Sequence, residues 1–184
     1  MLIHFSDELK TVLCYAADEA MRTGRYGIGT DHLMLAVLRH SANEACRALE
    51  DAGIDLKDFK HAIDRQVFSE KPIPYSDMGR ITLTKRAQAA IGLAVYESLR
   101  GDKAEVRPQH LLLSILRDEQ SASSAYLKEH GLTAEKLRMV LADRKALESG
   151  ASPRSISPEE TLSVLGEQLY RLALENRDMT SYPS

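Results

Sequence analysis

Apolar residues recur at helical spacing along most of the chain. Near the start they fall at i, i+4, i+7 and i+11, which predicts an amphipathic helix from about Asp7 to Thr23. The next apolar stretch, Leu33 to Leu38, is apolar nearly all round, which indicates a helix buried at the centre of its module. No segment shows sustained strand alternation bounded by hairpin turns. The pattern therefore predicts an all-α fold.

Residues that favour helix ends divide each half of the chain into four helices. In the first half, Ser6 precedes the first helix and Thr30 the second. The third helix runs from about Asn43 to Asp51 and stops at Gly53. Asp55 precedes a fourth helix that ends near Gln66. In the second half the residues at helix ends are Thr84, Pro108, Gly131 and Thr133.

The two halves repeat each other at a fixed offset of 78 residues, without a gap. The segment GTDHLMLAVLR (29–39) lies over RPQHLLLSILR (107–117). Ten positions are identical in this register: 16/94, 19/97, 22/100, 32/110, 33/111, 35/113, 38/116, 39/117, 49/127 and 53/131. We therefore expect two tandem four-helix units that pack by pseudo-twofold symmetry.

Segments rich in proline, glycine and serine separate the parts of the chain. They predict a first repeat over 1–66, a linker over 67–82, a second repeat over 83–146, and a linker with a helix over 147–184. A capping box with proline begins that last helix at Ser157, and its leucines form a narrow apolar seam at Leu162, Leu165, Leu169 and Leu172. We expect the chain to be part of something longer.

Composition and motifs exclude several kinds of function. A net charge of −3 gives no general footprint for nucleic acid or for an anionic membrane. The two cysteines, 32 positions apart, form no CxxC pair, and no apolar stretch is long enough to span a bilayer. No GxxxxGK[ST], GxSxG or HExxH sequence is present. We expect a cytoplasmic protein whose chain has no enzymatic activity, cofactor or metal, and does not bind ATP.

The repeated segments, FSDELKTVLCYAADEAMRTGRYGIGTDHLMLAVLR and LTKRAQAAIGLAVYESL followed by QHLLLSILR, resemble the Clp N repeats of ClpC, ClpA and ClpB-type AAA+ unfoldases, ClpC-like proteins most closely. The tail LGEQLYRLALENRDM resembles the lead-in to a first AAA+ module. The resemblance implies an N-terminal domain that binds adaptor proteins and substrates above an ATPase ring, which passes substrates to a ClpP-type peptidase. The alternative is a free-standing Clp N accessory protein that docks on a Clp complex and regulates it.

Some ClpC relatives bind phosphorylated arginine, and the resemblance extends to four positions of that site. Each repeat supplies a hydroxyl residue before its first helix and an acidic residue in its Gly-Thr-Glu-His turn. Ser6 and Asp31 stand at these positions in the first repeat, and Thr84 and Gln109 in the second, so the second carboxylate is missing. We expect the first repeat to bind the ligand more strongly. Asp31 as an ordinary first-turn helix charge is the other interpretation.

Two further features have ordinary structural explanations. His32 and His110 lie in the first turns of buried helices, where we expect neutral imidazoles hydrogen-bonded into the junction between helices. Residues 5–66 hold 8 basic and 11 acidic side chains, and residues 83–145 hold 11 and 8. This charge difference reflects either drift on solvated faces or halves that bind different partners.

Overall fold

A computed structural model of the protein describes residues 3–100 and 105–148. Within these ranges the α-helices are α1 Asp7–Thr23, α2 Thr30–Arg39, α3 Glu44–Asp51, α4 Leu56–Val67, α5 Lys85–Leu99, α6 Pro108–Ile115, α7 Ala122–Glu129 and α8 Ala134–Glu148. The first four helices begin at 7, 30, 44 and 56, and the last four at 85, 108, 122 and 134, each 78 positions later. The prediction of an all-α fold built from two four-helix repeats is confirmed.

The helix ends follow the sequence closely. The side chains of Ser6, Thr84 and Thr133 each accept the backbone N–H three residues later, at 3.1, 3.1 and 3.2 Å. Gly53 and Gly131 lie just past α3 and α7 with φ of 85° and 79°, a left-handed conformation that glycine adopts without a steric penalty.

The prediction that Thr30 caps α2 is wrong. Gly29 is the residue before the helix, and Thr30 is its first residue. The Thr30 hydroxyl donates instead to Asp118 Oδ2 at 2.8 Å, so it connects the two repeats. The Gly29 N–H donates to His32 Nδ1 at 3.0 Å. This bond satisfies one of the backbone N–H groups that have no partner within the helix at its start.

The second helix of each repeat forms the centre of the core, as its all-round apolar pattern predicts. The side chains of residues 33–37 in α2 are all completely buried, and Leu112 and Ile115 of α6 are also completely buried. The α2 and α6 helices contact each other, so both repeats share one hydrophobic core. Replacing a leucine such as Leu35 by alanine would cost about 2–5 kcal/mol in the free energy of unfolding.

Two pairs of very short strands connect the repeats. Strand β1 (His4–Phe5) pairs in parallel with β4 (Glu105–Val106), and β2 (Gly27–Ile28) pairs in parallel with β3 (Thr82–Leu83). Each pair joins the strand before the first helix of one repeat to the strand before the second helix of the other. Segments of two residues show no alternating pattern, so the sequence did not reveal them.

The segment between the repeats is folded onto the first repeat. The N–H groups of Ser69 and Ile73 donate to the carbonyls of Thr23 and Met21 at 2.8 and 3.0 Å, and a 3-10 helix follows over Tyr75–Arg80. Residues up to Leu141 form one compact unit. The predicted leucine helix of the tail lies outside the described residues. Among the residues that are described, no helix is both long and apolar enough to cross a bilayer.

Candidate functional site

The strand pairing determines which of the four predicted site residues are neighbours. The Ser6 N–H donates to the Val106 carbonyl at 2.9 Å, and the Thr84 N–H donates to the Ile28 carbonyl at 3.1 Å. Val106 lies three residues before Gln109, and Ile28 lies three residues before Asp31. Ser6 is therefore joined to the helix start that contains Gln109, and Thr84 to the helix start that contains Asp31.

This arrangement corrects the grouping expected from the sequence, in which each repeat supplied a complete site. The physical reason is the exchange of strands, because each hydroxyl residue follows a strand that pairs with the other repeat. We call the two resulting groups the Thr84–Asp31 site and the Ser6–Gln109 site. Each contains the N-termini of two helices, where unpaired N–H groups favour anions.

The two hydroxyl residues have similar local roles but different surroundings. Ser6 is buried, whereas Thr84 is partly exposed. Gly27 lies directly against Thr84: a Cβ atom on Gly27 would come within 2.9 Å of Thr84 Cγ2. A side chain at Gly27 would therefore require the Thr84 side chain to shift.

Asp31 has a role that the sequence did not predict. Its Oδ1 atom accepts hydrogen bonds from the Ser123 N–H at 2.9 Å and the Ser123 hydroxyl at 2.6 Å, and its Oδ2 atom accepts from the Ala122 N–H at 3.1 Å. These groups form the N-terminus of α7 in the other repeat. A carboxylate has about four acceptor positions, so three are used here. Asp31 is thus a helix-terminus charge, although for α7 as well as for its own helix.

Asp118 completes the Thr84–Asp31 site and was missed by the sequence analysis. It accepts hydrogen bonds from the Arg86 guanidinium, at 3.1 Å for Nε to Oδ2, and from the Thr30 hydroxyl at 2.8 Å. Burial raises the pKa of the Asp118 carboxyl, but the bonds from Arg86 and Thr30 outweigh it and hold the pKa below its usual value. Arg86, which flanks Thr84 in the sequence, is therefore paired with a carboxylate. No motif marks Asp118, since its partners lie 32 and 88 positions away.

The Ser6–Gln109 site has a different charge pattern. Gln109 lies on the first turn of α6 and is partly buried, so its position holds a neutral side chain where Asp31 holds a charge. Beside it, Glu105 of β4 lies 2.6 Å from Arg107 Nη2 and 3.2 Å from His4 Nε2. Its carboxylate is therefore held beside two neighbouring side chains rather than at a helix N-terminus.

The duplicated histidines behave as predicted. His32 Nδ1 accepts the Gly29 N–H at 3.0 Å, and His110 Nδ1 accepts the Arg107 N–H at 2.9 Å. His32 Nε2 lies 2.9 Å from the Thr23 hydroxyl, which connects α2 to the end of α1. Burial lowers the pKa of both imidazoles, so both are neutral near pH 7. Both imidazoles therefore accept the backbone N–H of the residue that precedes their helix and support the two helix starts.

The remaining charged identities between the repeats form two ion clusters, each around a buried glutamate. Glu19 pairs with Arg22 at 2.8 Å and with Arg39 at 3.3 Å. Glu97, the equivalent residue, pairs with three arginines: Arg100 at 3.7 Å, Arg117 at 3.4 Å and Arg138 at 2.8 Å. Both glutamates are buried, and the arginines duplicated with them are those at 22/100 and 39/117. Across the described residues, no group of three or more potential ligands could hold a metal ion.

Comparison with known proteins identifies the fold. The chain is similar to ClpC/MecB, the negative regulator of genetic competence of Bacillus subtilis, with 25% identity over 96% of the chain and 22% of the relative. It is 28% identical, over 96% of its length and 21% of the relative, to the ATP-dependent Clp protease ATP-binding subunit ClpA homolog of Cyanidium caldarium. The chain therefore spans only about a fifth of the length of these curated relatives.

Solved structures agree with the architecture. The Hsp104 N-terminal domain of Candida albicans superposes with a TM-score of 0.62 at 16% identity, covering 81% of this chain and 93% of that one. The N-terminal domain of the chaperone ClpD of Arabidopsis thaliana gives 0.58 at 16% identity, covering 76% and 93%. The Clp repeat (R) N-terminal domain model matches twice, over residues 4–130 and 82–178. The chain belongs to the family of Clp repeat N-terminal domains.

Proposed function

We propose that this chain is the substrate- and adaptor-recognition domain of a ClpC-like AAA+ unfoldase, whose remaining length supplies the ATPase ring and contacts a ClpP-type peptidase. One observation carries the proposal: almost the whole chain corresponds to about a fifth of much longer Clp proteins, and that fifth is a repeat domain. The sequence of this chain contains no GxxxxGK[ST] segment, and we assign nucleotide hydrolysis to the rest of the longer protein and recognition to this chain.

Two experiments test this function. The coding sequence beyond Ser184 should contain a GxxxxGK[ST] segment, whereas a stop codon close to Ser184 would favour a free-standing accessory protein. The longer protein should then be compared with a version that lacks residues 1–148. We expect the truncated protein to hydrolyse ATP but to lose adaptor-dependent degradation in the presence of the peptidase. Unchanged degradation would contradict a recognition role.

We further propose that phosphoarginine, if it is the tag that the domain recognises, binds at the Thr84–Asp31 site. Of the two sites, this one has a hydroxyl residue, two helix N-termini and a carboxylate on the first turn of a helix, whereas Glu105 beside the Ser6–Gln109 site is already paired with Arg107. Asp31 is already bound to α7, but it retains about one acceptor position for the ligand. At the Ser6–Gln109 site the neutral Gln109 cannot form a charge-assisted hydrogen bond.

Titration with a phosphoarginine peptide tests this assignment, with the same peptide carrying plain arginine as control. Asp31→Asn should weaken binding roughly ten- to a hundredfold, the equivalent of about 1.5–3 kcal/mol, while Gln109→Ala should change it little. The hydroxyl variants test which residues share a site: Thr84→Ala should weaken binding and Ser6→Ala should not. Weakening by Ser6→Ala together with Asp31→Asn would show that the sites are formed within each repeat instead.

A further inference from the structure

The outward side of α5 is an uncharged and largely apolar surface. The exposed residues of this helix between Arg86 and Arg100 are all uncharged, and we call them together the α5 face: Gln88, Ala89, Gly92, Leu93, Tyr96 and Leu99. Leu93, Tyr96 and Leu99 are 37%, 59% and 44% exposed, over two consecutive turns of the helix. An exposed contiguous apolar surface on a polar protein commonly marks an interaction site.

The first repeat provides an internal comparison, because α1 is the equivalent helix. Asp18 stands at the position of Tyr96, and Tyr15 at the position of Leu93. The Arg39 guanidinium lies 4.4 Å from the centre of the Tyr15 ring and 3.7 Å from Asp18, so it covers this part of α1. In α5 the change from Asp18 to Tyr96 replaces the charged partner with an aromatic ring. The two equivalent surfaces have therefore diverged, one charged and covered, the other apolar.

Gly92 is a second, independent feature of the α5 face. It lies in the middle of a 15-residue helix, where glycine is less favourable than alanine. A Cβ atom at this position would meet nothing within 4 Å, so no neighbour in the described part of the chain requires glycine. Gly92 and Ala89 are on the same side of the helix and leave its backbone accessible. A glycine with this exposure allows another helix to approach closely.

Positive charge lies along one edge of the α5 face. Glu97 is surrounded by Arg100, Arg117 and Arg138, whose side chains are 53%, 41% and 30% exposed, so three guanidiniums surround one carboxylate. In the first repeat the corresponding cluster contains Arg22 and Arg39 with three carboxylates, those of Asp18, Glu19 and Asp64. Among the ion pairs of the described residues, the cluster beside the α5 face has more arginines than carboxylates, and the cluster of the first repeat has fewer.

We propose that the α5 face binds an acidic amphipathic helix of a partner protein. The apolar side chains of that helix pack on Leu93, Tyr96 and Leu99 with its backbone close to Gly92, and its Asp or Glu residues pair with the arginines around Glu97. A second copy of this chain is a poor occupant, because an antiparallel pair of α5 helices would bring Lys85 of one copy towards Arg100 of the other. An acidic amphipathic helix would be one class of partner for the proposed recognition function, and the biological role of this binding rests on that function.

Fluorescence anisotropy with the 184-residue chain tests the proposal directly. The probe is a labelled peptide of about 18 residues with leucines at i, i+3, i+4 and i+7 and glutamates on both flanks, since shorter helices are marginal in water. A peptide with lysine in place of each glutamate is its control. We expect saturable binding of the acidic peptide, at least tenfold weaker binding of the basic one, and loss of affinity between about 50 and 300 mM salt.

Two variants locate the binding surface. Tyr96→Asp copies the residue of the first repeat, and Gly92→Gln adds a side chain that favours the helix while it blocks close approach. Each should weaken binding at least fivefold, whereas Cys14→Gln, at the position in α1 equivalent to Gly92, should not. Gly92→Gln should also raise the thermal midpoint, and that measurement shows whether its effect on binding is separate from unfolding.

The following results would overturn the proposal: no saturable binding, equal binding of both peptides, or equal affinity for the parent chain and both α5 variants. Self-association of the free chain that Tyr96→Asp abolishes would identify a second copy as the occupant instead. These outcomes are independent of the proposed function, because truncation of the longer protein tests recognition without reference to the α5 face.

Discussion

Removal of the Asp31 carboxylate should destabilise the contact between the two repeats. In the folded chain this carboxylate accepts three hydrogen bonds from the first residues of α7, two of them from the Ser123 N–H and hydroxyl. In Asp31→Ala these donors lose their partner in the protein. Gln109→Ala changes the equivalent position of the second repeat, where no charge is removed, and is the matched control.

The size of the effect follows from the geometry. A hydrogen bond to a charged group contributes about 1.5–3 kcal/mol, and loss of a helix N-cap costs about 0.5–2 kcal/mol. Ser121 still caps α7 through the Ser124 N–H at 3.1 Å, and Asp31 is partly exposed, so water replaces some of the lost bonds. We therefore expect Asp31→Ala to lower the free energy of unfolding by about 2–3 kcal/mol. Gln109→Ala should lower it by less than about 1 kcal/mol.

Urea unfolding followed by circular dichroism is the suitable assay, because the chain contains no tryptophan. Asp31→Asn, which retains an acceptor for the Ser123 hydroxyl, should fall between Asp31→Ala and the parent. A loss of about 2–3 kcal/mol corresponds to a shift in the thermal midpoint of roughly 5–10 °C for a domain of this size. Equal destabilisation by Asp31→Ala and Gln109→Ala would refute the reasoning, since it would show that the bonds to α7 contribute nothing beyond ordinary surface contacts.

Two further predictions concern buried groups. Burial lowers the pKa of His32 and His110 in the folded state. Below about pH 6.5 the unfolded chain therefore binds more protons than the folded chain. The free energy of unfolding should keep its full value above that pH and decrease as the pH falls towards the folded-state pKa. Urea midpoints measured from about pH 7.5 to 5 should show this decrease. The double variant His32→Gln/His110→Gln should make the midpoint depend less on pH. If the midpoint of the double variant depends on pH as strongly as that of the parent, other groups cause the decrease. Burial also raises the pKa of the Cys46 thiol to about 12, whereas Cys14 is exposed. A thiol reagent at about pH 8 should therefore modify Cys14 rapidly and Cys46 only in denaturant, and a fast reaction that persists in Cys14→Ser would contradict this.

The fold could be predicted from the sequence because its determinants are local or repeated. The apolar stretch 33–38 is the buried centre that its composition indicates, and the caps at Ser6, Asp55 and Thr84 mark helix starts correctly. The duplicated identities have direct structural meaning, since Glu19 and Glu97 are both buried and each pairs with arginines. The prediction that Thr30 caps α2 was wrong because a hydroxyl at a helix start can form its hydrogen bond with its own helix or with another segment of the chain. Here the Thr30 hydroxyl donates to Asp118.

The arrangement of the site could not be predicted, because it depends on contacts between the repeats. A common offset of 78 shows that two segments are equivalent. It does not show whether a segment of the first repeat lies beside a segment of its own repeat or of the other repeat. Pairing within a repeat and pairing across repeats give the same alignment. Two-residue strands decide between them, and strands of that length leave no pattern in the sequence.

The same cross-repeat contacts give the equivalent positions 31 and 109 different structural roles. The start of α3 is held within its own repeat by Asn43, whose side chain is completely buried: its Oδ1 accepts the Cys46 N–H at 2.9 Å, and its Nδ2 donates to the Val37 carbonyl at 3.0 Å. Ser121, at the start of α7, accepts the Ser124 N–H at 3.1 Å and donates its hydroxyl to the Asp118 carbonyl at 2.8 Å, so α7 is also held within its own repeat. Helix α7 donates three further hydrogen bonds to the Asp31 carboxylate of the other repeat. Loss of the charge at 31 therefore removes charge-assisted hydrogen bonds across the repeats, whereas Gln109 at the equivalent position is already neutral.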